Sequence, residues 1–211
     1  MPRSPRLLLS KSYYHIIARG NNKNTIFKED EDFLFYLDLA KKHKKENPFD
    51  IYHYCLMSNH IHFLVKTGDA FGFSAFMKSI SLAYYYYFKK KYGWTGHFWQ
   101  GRYKSQPVGK DEYFLQCGKY IELNPVRAKI VKDPRSYPYS SYNYYAKGED
   151  NDIITEDFFY KELGSNNRER QKEYKSILID EIINESYNKP VWGSSIQRYR
   201  EGQKTRRKLK K

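Results

Sequence analysis

Only two cysteines occur among the 211 residues, Cys55 and Cys117, and neither belongs to a Cys-x-x-Cys pair. That speaks against a disulfide framework and against a cysteine zinc cluster, and it suits a reducing cytoplasm. No apolar run approaches the roughly 18 residues that a membrane span needs. The stretch with Arg3, Arg6 and Leu7–Leu8–Leu9 is too short in its apolar part for a secretion signal and reads as a basic lead-in. No internal repeat is visible. Acidic residues are in short supply, with 24 Asp and Glu against 38 Lys and Arg, a formal net charge of +14.

That surplus calls for a polyanionic partner, nucleic acid first and an acidic membrane second. Aromatics make up 18% of the chain, including 22 tyrosines. Rings interleaved with cations suit single-stranded nucleic acid, whose bases stack on them; the same rings can also fill or rim a core. The length fits one domain, or one domain with a tail, and is ample for a hydrophobic core.

Periodicity gives a coarse plan. Tyr13 to Ala18 reads as a strand, and Gly20–Asn24 as a loop. Asp30 to Lys45 has an apolar stripe at helical spacing through Phe33, Leu34 and Leu37, ended by Asn47–Pro48. Phe49 to Met57 and Ile61 to Lys66 read as strands joined at Ser58–Asn59. Phe73 to Tyr92 is a long helix, Gly101 to Val108 a fourth strand, and Lys110 to Leu123 a further helix. The order βαββαβα predicts an α+β fold, an antiparallel sheet of four to five strands with helices packed on it, compatible with the ferredoxin-like split βαβ. After Tyr145 the composition changes. Thr155 to Leu163 and Arg168 to Glu185 read as helices, Lys189–Ser194 as a loop and Lys204–Lys211 as a basic tail. We divide the chain into a domain at 1–145 and a helical C-terminal extension with its tail at 146–211.

Within this plan, His60–Ile61–His62 stands out. Side chains at i and i+2 of a strand share a face, so the two imidazoles are rooted roughly 6–7 Å apart, close enough to share a metal ion, while Ile61 and Phe63 turn to the opposite face. Tyr120 and Asn124 are four apart in a helical stretch and share a face too. A tyrosine is a possible nucleophile and an amide oxygen a hard ligand for Mg²⁺. The plainer readings are a core tyrosine and an Asn-Pro that ends a helix, with Pro125 stopping it. Asp and Glu do not cluster with His60 and His62, which leaves a carboxylate-based metal hydrolase unsupported.

Several segments together resemble a known family. These are Tyr14–Asn21, the run Tyr54–Val65 with its Met-x-Asn-His-hydrophobic-His pattern, Gly96–Lys104, Lys119–Ala128 and Tyr137–Tyr142. In this order they resemble the HUH single-tyrosine transposases, in particular the REP-associated tyrosine transposases with an IS200-like transposase domain, over roughly residues 10–145. Ser58 departs mildly, standing where proline is common. The resemblance implies a ferredoxin-like HUH nuclease fold. It implies His60, His62 and Asn124 as metal ligands for Mg²⁺ or Mn²⁺ and Tyr120 as the catalytic nucleophile. The activity it implies is that of an endonuclease and strand transferase. Such an enzyme cleaves single-stranded DNA beside a REP-like hairpin through a 5′-phosphotyrosine intermediate and rejoins ends in DNA transposition.

DNA contacts are expected from Arg19, Asn21, His97, Arg102, Lys104 and Arg127; Arg127 has the alternative of capping carbonyls at the helix end. His15 and His53, on strands, either neighbour the site or sit satisfied within the sheet. The run Tyr84–Tyr87 is a rival source of nucleophile, but no Asn or His accompanies it at ligand spacing, and we read it as core on one side and cationic surface on the other. Tyr103 reads as sheet packing. No nucleotide cofactor and no membrane partner are expected. The protein is expected to be bacterial, cytoplasmic and nucleoid-associated, and to be a monomer or homodimer, the extension favouring the monomer. The alternative function is a non-catalytic single-stranded DNA- or RNA-binding protein on a decayed transposase fold.

Overall fold

The computed structural model describes residues 8–46, 49–109 and 112–187. Residues 1–7 of the basic lead-in, Asn47–Pro48, Lys189–Ser194 and the basic tail lie outside these residues. β1 (Tyr13–Arg19), β2 (Asp50–Met57), β3 (His60–Lys66) and β4 (Lys104–Val108) form one antiparallel sheet in the order β2-β3-β1-β4. Two helical crossovers build it. α1 (Asp30–Glu46) links β1 to β2 and α2 (Ala70–Tyr92) links β3 to β4, each pair of strands straddling another. This is the split βαβ arrangement. α3 (Glu112–Glu122) follows β4.

Alternation along the strands divides the sheet into two faces. Tyr14, Ile16 and Ala18 of β1 and Ile61, Phe63 and Val65 of β3 pack with Phe33 and Tyr36 of α1 and Phe73, Phe76, Ile80 and Tyr84 of α2. Leu64, Cys55 and Met57 turn the other way, onto Phe114, Cys117 and Ile121 of α3. His60 and His62 share parity with Leu64, so they belong to the α3 face, and Ile61 and Phe63 occupy the opposite core as the sequence predicts. Asp69 caps α2 by accepting from the Gly72 N–H at 2.7 Å, and Gly93, at φ 64°, ends it in the left-handed region. β4 is an edge strand, the position in a sheet that tolerates a proline such as Pro107. The free edge of β2 is covered by the 139–141 segment and Thr155, through Leu56 N–H to Tyr139 O and Thr155 N–H to Ile51 O.

Three boundaries differ from the sequence expectations. The fourth strand starts at Lys104, since Gly101 adopts φ 84° and breaks an extended run. Pro125 does not stop the chain's helical course: Asn124–Arg127 forms a short helix, α4, with Pro125 in its first turn, where proline is well tolerated. The helix expected at 155–163 is only Phe158–Glu162, α6, because Asp157 caps it by accepting from the Phe159 N–H. A further helix, α5 (Tyr142–Lys147), was not expected. α7 (Asn167–Tyr187) packs on α5 and α6 around Tyr142, Tyr145, Tyr160, Tyr174 and Leu178.

A β-bulge between Ile51 and His53 lets Tyr52 and His53 both face α3. His53 is fully enclosed there. Its Nδ1 lies 2.9 Å from Glu122 Oε1 and its Nε2 3.3 Å from Asp157 Oδ2. Burial alone would push this imidazole down, but hydrogen bonds to Asp157 and Glu122 lift it to about 9. A Cβ on Gly118 would stand 2.8 Å from His53 Nε2. The ring is held between two carboxylates and cannot retreat. Gly118→Ala is therefore expected to destabilise the protein by about 1–3 kcal/mol, read as a lower urea midpoint at unchanged m-value.

Candidate active site

β3 begins just after the turn Ser58–Asn59, so His60 and His62 sit at one end of the sheet on the α3 face. Cross-strand register brings in a third histidine. His62 is opposite Ile17 and Leu64 opposite His15, making His15 and His62 diagonal neighbours. Their rings stack with centroids 5.0 Å apart, and His15 Nε2 lies 2.8 Å from His62 Nδ1. His60 Nδ1 donates to Asn59 Oδ1 at 2.5 Å, which leaves its Nε2 as a lone-pair donor. Both histidines of the pair thus have Nδ1 engaged and Nε2 turned elsewhere. His62 Nε2 is buried with no hydrogen-bond partner among the described residues.

All three imidazoles are held neutral at neutral pH. Burial lowers His60 to about 4, helped by the Arg19 charge. Burial lowers His62 further still, with His15, His60 and Arg19 adding repulsion. Burial also lowers His15 to about 4, opposed by a hydrogen bond with the Gln106 side chain. Neutral imidazole is the form that binds a metal.

Tyr120 meets this group from the helix side. Its half-buried ring stands edge-on to His15 and to His62, with centroids 5.9 Å away in both cases. Asn124 lies one turn on. Its Nδ2 donates to the carbonyls of Tyr120 at 2.8 Å and Ile121 at 3.3 Å. The second bond is needed locally, because Pro125 has no N–H to offer Ile121. With Nδ2 so committed, the amide's ligating atom, Oδ1, is not used by the helix. Arg127 Nη1 donates to the Tyr120 carbonyl at 2.9 Å, and its guanidinium lies over the Tyr120 ring, 5.0 Å from the centroid. Of the two readings of Arg127, the structure displays the capping contact.

Among the described residues no three His, Cys, Asp or Glu side chains form a metal-holding group. A metal at the pair would have two imidazole nitrogens and would take neutral oxygen for the rest. The orphaned His62 Nε2 and the neutral rings fit that donor set.

The remaining expected residues gather at the same end of the sheet. Arg19 is exposed and pairs with His60 across the ladder; Lys104 is exposed opposite Ile17. The 96–102 segment is tied to the end of β1 by the Gly20–Trp99 bridge, by Asn21 N–H to Phe98 O and by Gln100 N–H to Arg19 O. These bonds carry exposed His97 and Arg102 toward the rim. By contrast, Tyr84–Tyr87 lie on α2, across the sheet. Tyr84 is buried with its hydroxyl on Ile26 O, and the Tyr87 hydroxyl donates to Asp32. Tyr103 packs edge-on against Phe73. Of the two strand histidines left open by the sequence, His15 joins the site and His53 is a buried ion-paired residue. Only the strand register, unreadable without the fold, separates their roles.

The helix-covered antiparallel sheet thus carries a histidine pair that faces a helical tyrosine. Residues 8–124, more than half of the chain, match the family model described as Transposase IS200 like, and the chain belongs to that family. Its fold is similar to that of a REP-associated tyrosine transposase solved bound to a REP hairpin, with 19% identity and a TM-score of 0.58 over 74% of this chain and 93% of that one. A structure named as a transposase from Deinococcus radiodurans R1 is similar at 19% identity and a TM-score of 0.40, covering 57% of this chain and 96% of that one. No curated protein matches. No helix among the described residues is long and apolar enough to cross a membrane.

Proposed function

We propose that this transposase is a metal-dependent single-stranded DNA endonuclease and strand transferase that acts beside hairpin DNA through a covalent tyrosine link. The observation that carries the reading is the meeting of Tyr120 with His62, whose Nε2 is buried and unpartnered. His60, His62 and Asn124 would hold Mg²⁺ or Mn²⁺. When bound there, such an ion supplies charge neutralisation at the scissile phosphate.

The protein's own part is positioning. Tyr120 Oη attacks phosphorus in line, the Oη–P bond forms and the P–O3′ bond breaks. The phenol proton passes to solvent, and the departing 3′ oxygen takes one proton from solvent to become a free hydroxyl. The 5′-phosphotyrosine keeps the energy of the phosphodiester, so a second 3′-hydroxyl can reverse the step and join strands without a nucleotide cofactor. Arg127 and Asn124 hold the carbonyl of Tyr120, which fixes the backbone beneath the nucleophile. Arg19, Lys104 and Arg102 supply a cationic rim for the strand, with His97 beside them as a hydrogen-bonding group; phosphate contacts of the cationic kind weaken with salt. The hairpin as substrate is supported by the similarity in fold to a protein solved with one.

The test is strand cleavage of hairpin oligonucleotides drawn from the DNA flanking the gene, with Mn²⁺ or EDTA, read as a protein–DNA adduct on a denaturing gel. An adduct that needs the metal supports the reading. Tight binding with no adduct across the whole pool would replace it with the non-catalytic binder. His62→Ala is expected to weaken Mn²⁺ binding by at least about 100-fold in calorimetry, since even residues behind the ligands cost roughly 10- to 100-fold.

A further inference from the structure

The helix that carries Tyr120 is gripped from outside the family-matched region. Glu122, two residues after Tyr120, is fully buried; its Oε2 accepts from the Tyr174 hydroxyl at 2.7 Å and its Oε1 from Ser141 Oγ at 2.5 Å, beside His53 Nδ1. Lys119, immediately before Tyr120, donates to Glu181 Oε2 at 2.8 Å, with only 8% of its side chain exposed. Tyr174 and Glu181 both belong to α7 and are seven residues apart, so they share one face of it. Asp157, the cap of α6, closes the other side of His53.

We propose that α7, together with the Asp157 cap, is a positioning brace for α3: Tyr174 and Glu181 hold Glu122 and Lys119, one after and one before Tyr120 in the chain, and so set where its hydroxyl points. The proposal rests on the reading of Tyr120 as nucleophile. At 11 residues α3 is too short to be stable alone. Phe114, Cys117 and Ile121 bury it on the sheet, but apolar burial is non-directional and leaves rotation about the helix axis weakly fixed. Charge-assisted hydrogen bonds from Lys119 and Glu122, three residues apart and so on one side of α3, are directional and oppose that rotation. The Lys119–Glu181 pair is mostly shielded, unlike the exposed pairs that contribute little.

The test uses the full chain with Tyr174→Phe, Glu181→Gln, the double variant, and the swap Lys119→Glu with Glu181→Lys. Single-turnover cleavage is expected to fall about 100-fold in the double variant, the loss that a ~1 Å misplacement produces. Oligonucleotide affinity is expected to stay within about twofold, because the rim residues are untouched. Amide exchange in peptides spanning 112–124 should speed up at least about tenfold while β1 and β3 keep their protection. The swap should recover most of what Lys119→Glu alone loses. Unchanged exchange across 112–124 in the double variant would overturn the brace, as would a cleavage loss matching only the fraction of protein unfolded. An adduct that survives Tyr120→Phe in the otherwise unaltered protein would sink the nucleophile reading alone, and the exchange data would still decide the brace.

Discussion

Tyr120→Phe is expected to lower covalent adduct formation and strand cleavage by ~10⁴-fold or more, the scale on which removing a nucleophile acts. The substitution removes one oxygen and leaves the ring where it is. The edge-on contacts to His15 and His62 and the Arg127 guanidinium over the ring do not need the hydroxyl. Oligonucleotide affinity and thermal stability should therefore remain close to those of the parent. A gel-shift titration beside the denaturing gel separates the two effects. A variant that lost binding as well as cleavage would mean that the hydroxyl holds DNA rather than attacks it.

His53→Ala is expected to destabilise the fold more than Gly118→Ala does. Glu122 and Asp157 are both fully buried and both face this imidazole. Removing the cation leaves two carboxylates enclosed without it, and breaking a buried pair in this way costs about 3–5 kcal/mol. In a chain of this size that lowers Tm by roughly 10 °C. The pH dependence has a definite sign. The imidazole's folded value is about 9, raised from 6.5. Its contribution to stability is complete below pH 6.5 and is lost as pH rises through 9. Urea midpoints of the parent should decline across that window, and those of His53→Ala should not. A flat profile in the parent would show that His53 is neutral in the fold.

The sequence conveys some parts of this molecule and hides others for physical reasons. The alternation Ile61, Phe63, Val65 against His60, His62, Leu64 is local, and it alone places the histidine pair on the face away from α1 and α2. The i, i+4 spacing of Tyr120 and Asn124 is equally local. His15 is different: its place beside His62 depends on how β1 registers against β3, a pairing across 47 residues. The cluster of His53, Glu122, Asp157 and Tyr174 is less visible still. It joins β2, α3, α6 and α7 across up to 104 residues, and it depends on a bulge that turns Tyr52 and His53 to one face. The only trace in the sequence is a polar residue inside the apolar run of β2. Pro125 misleads because the same residue that ends a helix interior is well tolerated in a first turn.

The proposed function requires that Tyr120 become covalently bound to DNA. The most direct measurement is proteolysis of the trapped adduct followed by mass spectrometry of the nucleotide-bearing peptide. The expected result is the added mass on the peptide containing Tyr120, with the link to a 5′ phosphate. The same mass on a peptide containing Tyr84–Tyr87, or no modified peptide from a reaction that has cleaved the strand, would contradict it.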